Sequence, residues 1–202
     1  MKDKLIGTDK TLDEQLEILT TILLQNKTLK EILEKLSKSN LKNYYVTAGA
    51  INQTIFNYYH DYELNYGIKD YDIVYFDNDL SYEKEDKIIK EISSILKDID
   101  VLCDIKNEAR VHIWYKDKFG IERLPYSSVE DAISRFGATI TCIGVRMENN
   151  NLKVFAPYGL NDIFSMIIRP VKGDFTEEQY QLRCEKWKNK WPLLRIIPWN
   201  EN

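Results

Sequence analysis

Asp70-Tyr71-Asp72 runs straight into Ile73-Val74-Tyr75-Phe76, shortly after Gly67. The apolar half of this run is β-branched and aromatic, so it predicts a buried strand. Side chains on a strand alternate between its faces, which places Asp70 and Asp72 on the same one. Two carboxylates side by side repel unless a cation lies between them. Hard oxygen donors of this kind suit Mg²⁺ or Mn²⁺, which share carboxylates with substrate phosphates. The chemistry indicated is phosphoryl or nucleotidyl transfer. Asp-x-Asp is a short pattern, and a polar strand entrance after a glycine turn would also produce it. The flanking residues decide its weight.

A small-residue turn, Ala48-Gly49-Ala50, precedes the acidic strand and joins a short strand (Tyr44–Thr47) to a helical run containing Ile51 and Ile55. Glycine allows close backbone approach, and a helix start favours a phosphate. A plain tight turn is the simpler reading of Gly49 alone. After the acidic strand, residues 83–97 predict an amphipathic helix with Ile88, Ile89, Ile92, Ile95 and Leu96 inward. A further strand, about 101–105, carries Asp104 between apolar residues. A lone acid there must be solvated, bound or paired. It reads either as a third metal ligand or as the ion-pair partner of Lys106. Asp100 and Glu108 are rivals, placed at strand ends.

Arg110 to Tyr115 reads as another strand. In it, Arg110 suits a phosphate or a structural carboxylate, and His112 suits acid–base work or a backbone carbonyl. Lys69, directly before the acid pair, joins them among the candidate nucleotide-binding residues. The chain has only two histidines, which excludes a His-rich metal site. His60 reads as a helix cap, Asp77 as a turn residue and Asp162 as a helix N-terminal charge.

The remaining pattern places these candidates in one α/β (α+β) domain. Thr11-x-x-Glu14 and Thr28-x-x-Glu31 predict two capped helices, with stripes Leu12/Leu16/Leu19/Leu23 and Leu29/Ile32/Leu33/Leu36. Ser127-x-x-Glu130 predicts a short helix to about Phe136. Residues 139–147 and 152–156 predict a hairpin, 160–168 a helix, and Thr176-x-x-Gln179 opens the last helix. We expect a single domain over 1–202: a helical pair at 1–40, a core at 41–172 and a C-terminal helix at 173–202.

The net charge of −4 gives no overall basic field for nucleic acid. Arg183, Lys186, Lys188 and Lys190 could offer a local contact site, but a solvated helix face is the simpler reading. No run of apolar residues is long enough to span a membrane, and residues 1–10 lack the apolar stretch of a signal peptide. The three cysteines form no zinc pattern or disulfide framework, so a cytoplasmic home is expected.

Gly49, Asp70, Asp72 and Asp104 occur in the order seen in the DNA polymerase β superfamily: a small-residue turn opening a helix, an Asp-x-Asp strand, then an acid on a later strand. Four segments also resemble a family of bacterial nucleotidyltransferase-like proteins: Ala48-Gly49-Ala50-Ile51, Asp70 to Asp77, Lys106 to Trp114 and Ala156 to Asp162. The resemblance spans about 45–170. It implies a nucleotidyltransferase-fold mixed sheet, with Asp70, Asp72 and Asp104 binding two divalent ions. It further implies an NTP as donor, with Ala48, Gly49 and Ala50 cradling its phosphates, and pyrophosphate as product. The acceptor is expected to be a small molecule rather than nucleic acid. Ala50 stands where the superfamily usually has serine, removing a hydroxyl contact. That departure keeps a non-catalytic binding or interaction module as the alternative.

Overall fold

In a computed structural model, the protein is described over residues 4–120 and 122–201. Met1–Asp3, Ile121 and Asn202, which the one-domain expectation includes, lie outside the described residues. Helix α1 (Leu12–Leu23) opens on the expected capping box: Thr11 Oγ1 accepts from Glu14 N, and the Glu14 carboxylate accepts from Thr11 N. Helix α2 (Lys27–Ser37) starts earlier than the Thr28-x-x-Glu31 pattern predicts. Its cap is Asn26, whose carbonyl accepts from Leu29 N while its amide donates to Thr54 and to the Leu64 carbonyl. Those longer-range bonds fix the buried Asn26 as the start. Leu19, Ile22 and Leu23 of α1 and the whole α2 stripe are fully buried in the core shared with the sheet. Leu12 is exposed instead.

The chain continues through β1 (Tyr44–Thr47), α3 (Gly49–Tyr59), β2 (Asp70–Tyr75), α4 (Tyr82–Leu96) and β3 (Leu102–Asn107). Ile95 of α4 is exposed, contrary to its expected inward place. A 3₁₀ turn (Glu108–Arg110) then leads into α5 (Val111–Phe119). The predicted strand 110–115 is therefore a helix. Its Val and Tyr residues gave a β-like composition, but Val111 and Tyr115 are buried one helical turn apart against Tyr126 and Ala132. Helix α6 (Val129–Ile133) follows, capped by Ser128 rather than Ser127. Strands β4 (Gly144–Glu148) and β5 (Asn151–Phe155) form the hairpin, with Asn149 and Asn150 both at positive φ in the turn. The expected helix 160–168 is a single turn, α7 (Asn161–Phe164), followed by β6 (Ile167–Ile168). Helix α8 (Glu177–Lys190) has the Thr176–Gln179 capping box, and β7 (Arg195–Ile196) closes the fold beside β6.

The main sheet has the order β3-β2-β1-β4-β5, with β2 and β3 parallel and the other pairs antiparallel. Tyr71, Ile73 and Tyr75 of β2 point into the main core with Leu29, Leu33 and Ile51. On the opposite face, Tyr45 and Val74 pack with Val129 and Ile133 of α6. That smaller layer leaves the β2–β3 end of the face open, and a cleft forms there. Among the described residues, no helix is long and apolar enough to cross a membrane.

Candidate active site

The strand period fixes the cleft floor. With Tyr71, Ile73 and Tyr75 buried, Asp70, Asp72 and Val74 must face the other way. The parallel register then sets Asp72 opposite Asp104 and Val74 opposite Lys106. Asp72 and Asp104 thus stand side by side on neighbouring strands. Lys106 Nζ hydrogen-bonds to Asp104 Oδ2 and lies 3.7 Å from Asp72 Oδ1. Both readings of Asp104 meet in this geometry: it shares the acidic face and it is paired with Lys106.

Burial pushes the Asp72 carboxyl up to about 6; Lys106 opposes the rise, and the charges of Asp70 and Asp104 add to it. Burial works against charge on Lys106, but its hydrogen bond to Asp104 and the fields of Asp72, Asp104 and Glu108 outweigh that and raise its pKa.

The β1–α3 turn forms the next part of the wall. Ala48 lines the cleft and takes φ 53° and ψ −126°, a backbone conformation that favours glycine. The Ala48 carbonyl accepts from the amides of Ile51 and Asn52. Gly49 and Ala50 follow in the first turn of α3, where helix geometry leaves N–H groups without intrahelical acceptors. Gly49 has ordinary helical backbone, and a Cβ there would meet only the movable end of Gln53, 2.7 Å from Nε2.

The cleft encloses about 610 Å³. Ala48 and Asp72 stand on one side, α5 (Trp114, Tyr115) and α8 (Arg183) on the other. A larger hollow of about 930 Å³ lies beside α4, but none of the candidate residues lines it. The Asp72 cleft is where the candidate chemistry converges.

Glu108 also lines this cleft. It is buried, and burial pushes its carboxyl up to about 7; Lys106 and Arg123 oppose the rise, while Asp72 and Asp104 reinforce it. Its position at the end of β3 had made it a lesser rival to Asp104. The extra residue step into the 3₁₀ turn carries it inward. Arg183 and Lys186 line the cleft too, whereas the Lys188 ammonium bonds to the carbonyls of Pro192 and Leu194. The basic run on α8 is therefore divided: Arg183 is half-buried at the cleft, whereas Lys186 is exposed at its rim.

Asp70, Asp104, Gly49 and Ala50 stand beside the lining residues Asp72 and Ala48 without lining the cleft themselves. Three other candidates are aimed elsewhere. Arg110 pairs with Glu85, donates from Nε to the Leu80 carbonyl at 3.0 Å and lies over Tyr82. The turn into α5 aims it away from Asp72, and it takes the structural-carboxylate alternative. His112 lies on α5, with a buried Nδ1 that has no hydrogen-bond partner among the described residues, and it does not line the cleft. Lys69 is exposed ahead of β2. Asp162 accepts from Thr139 and Arg169, holding α7 to its neighbours. His60 caps α3 through Nδ1 at 2.7 Å from the Phe56 carbonyl.

Among the described residues, no three His, Cys, Asp or Glu side chains are gathered as a ready metal-binding group. The donor set nevertheless fits a small hard cation. Asp70, Asp72 and Asp104 are oxygen donors on one face, and Asp72 bears a desolvation cost that a bound cation would relieve. Lys106 meets part of that demand.

A nucleotidyltransferase family model matches residues 34–196. The chain belongs to that nucleotidyltransferase family. Its match takes in the cleft residues from Ala48 to Lys186 and leaves out α1. The fold is also similar to an NMR structure described as revealing a CCA-adding enzyme head domain, with TM-score 0.72 and 24% identity. That likeness covers 90% of this chain and 95% of the other, and it shows the shared nucleotidyltransferase-type fold. No curated protein matches the chain.

Proposed function

We propose that this nucleotidyltransferase moves a nucleoside monophosphate from an NTP to an acceptor hydroxyl in the Asp72 cleft, with release of pyrophosphate. The observation that carries the reading is the in-register pairing of Asp72 with Asp104, where Asp72 and Ala48 both line the cleft. Asp70, Asp72 and Asp104 would hold Mg²⁺ or Mn²⁺, which supplies charge neutralisation of the triphosphate and polarisation at the α-phosphorus. Gly49 and Ala50 amides hold phosphate oxygens at the start of α3. The acceptor oxygen bonds to the α-phosphorus as the bond to the bridging oxygen breaks, and pyrophosphate leaves with that electron pair. Glu108 takes the acceptor's proton at its carboxylate. Ala50 contributes no hydroxyl, so phosphate contact at this turn is by backbone. A cleft of this size suits a small-molecule acceptor.

The test is a thermal-shift panel of the four NTPs with Mg²⁺, Mn²⁺ or chelator, run beside labelled-NTP turnover, on wild type and Asp72→Asn. The variant should lose transfer by at least about 100-fold, since metal-centred charge stabilisation amounts to several kcal/mol. Retained turnover would refute the assignment of Asp72. The contact of Lys106 with both Asp72 and Asp104 favours a second reading, a nucleotide-binding module without turnover. Metal-dependent binding with no product from any acceptor class would select that reading.

A further inference from the structure

Arg183 on α8 is placed in a way that core packing does not account for. Its guanidinium donates one hydrogen bond, from Nη1 to the Phe136 carbonyl at 3.3 Å, and lies over the rings of Phe175 and Trp187. No carboxylate among the described residues comes within ion-pair distance of it. A guanidinium has five N–H donors and stays charged. Desolvation pulls its pKa down, and the field of Asp72 reaches it. A desolvated cation without an acid of its own is costly unless an anion arrives. Arg123 stands near by, stacked 3.5 Å from the Tyr115 ring centroid, with its Nη groups donating to Tyr115, Tyr126 and the Asp174 carbonyl and its buried Nε without a partner among the described residues. Lys186, one turn along α8, is exposed at the same cleft.

A chain of hydrogen bonds locates Arg183 relative to the phosphate-holding turn. The Phe136 carbonyl that it bonds also accepts from Thr141 Oγ1 at 2.7 Å. Two residues on, the Ile143 carbonyl accepts from Thr47 Oγ1 at 2.6 Å. Thr47 directly precedes Ala48. The guanidinium and the β1–α3 turn are therefore tied to the same short segment and line the same cleft.

We propose that Arg183, assisted by Lys186, is the phosphate-chain subsite of this cleft, taking the β- and γ-phosphates opposite the α3 amides. This rests on the NTP-dependent reading above and deepens it. As the bridging bond breaks, negative charge grows on the departing pyrophosphate, and a fixed guanidinium there is positioned to meet it. Because the subsite uses protein cations, it binds a polyphosphate without divalent metal.

The experiment is calorimetric titration of inorganic tripolyphosphate in chelator into wild type, Arg183→Met, Arg183→Lys, Lys186→Glu and Asp72→Asn, with circular dichroism of each. Wild type should bind. Arg183→Met should weaken binding by about tenfold or more, the worth of a charge-assisted contact, and Arg183→Lys should recover part of it. Asp72→Asn should bind as tightly as wild type or more so, because it removes a negative charge. Unchanged affinity in folded Arg183→Met overturns the subsite. If that variant does not fold, Lys186→Glu on the helix surface decides, and wild-type affinity there overturns it. Turnover with an unchanged KM for NTP in Arg183→Met would sink the subsite and leave nucleotidyl transfer standing. Arg183-dependent tripolyphosphate binding without NTP turnover in any metal would sink transfer and leave the subsite standing.

Discussion

Replacing Glu108 with Gln tests the electrostatics of the cleft without altering its shape. Glu108 is 4% exposed, and burial raises its carboxyl from 4.5 to about 7. The folded protein thus holds a proton that the unfolded chain has already released between those two values. Stability must fall as pH rises through that window, and the penalty is complete above about pH 7. A rise of this size corresponds to about 3 kcal/mol. That figure already includes the opposing fields of Lys106 and Arg123, and side-chain relaxation in the ionised state would absorb part of it. An effect of about 1–3 kcal/mol is the reasonable expectation. Asp72, raised from 3.8 to about 6, contributes with the same sign but finishes titrating earlier. The interval from about pH 6 to about pH 7.5 is therefore where Glu108 dominates. Urea unfolding in chelator should show wild type losing stability across that interval. Glu108→Gln should lose less, through Asp72 alone, match wild type near about pH 4 and exceed it by about 1–3 kcal/mol near about pH 8. Parallel pH profiles for the two proteins would refute the buried-carboxyl argument. The same substitution should flatten the rise in transfer rate through about pH 7 if Glu108 is the base.

Two further substitutions bear on the site's frame. Ala48→Gly should stabilise the fold by about 1 kcal/mol: strain of about 1–3 kcal/mol is relieved against a chain-entropy cost of about 0.5–1. A lower melting temperature would show that φ 53° at Ala48 carries no strain. Arg110→Met should cost about 3 kcal/mol, because Glu85, with a side chain only 14% exposed, loses the cation it faces. Its affinity for Mg²⁺–NTP should stay within about twofold of wild type, and a loss of about tenfold would return Arg110 to the nucleotide.

The acid pair was legible because a strand's alternation is strictly local: a buried Tyr71-Ile73-Tyr75 face determines where Asp70 and Asp72 point. The placement of Asp104 opposite Asp72 needed only one more strand in the right register. The run from Arg110 to Tyr115 was misread because Val111, Ile113, Trp114 and Tyr115 favour strands by composition, while their burial follows a helical turn. That error carried Arg110 and His112 towards the site. Cues were present for the correction: Lys116 and Lys118 before Gly120 form a basic last turn and a left-handed glycine stop. Arg183 and Glu108 had no such local cue. Arg183 reaches the cleft only because α8 packs across residues far away in sequence, and a basic helix face looks the same whether it meets water or a phosphate.

Strand β3 is also the margin of the sheet, with β2 on one side and, among the described residues, no strand on the other. Its unpaired backbone would offer a template for another chain, and Leu102 at its start is 64% exposed. Asp104 and Lys106 put alternating charges along this margin. An incoming strand would have to bury both. The residues set at the cleft floor thus also guard against sheet-to-sheet association, so variants that make this strand apolar should be sticky as well as inactive.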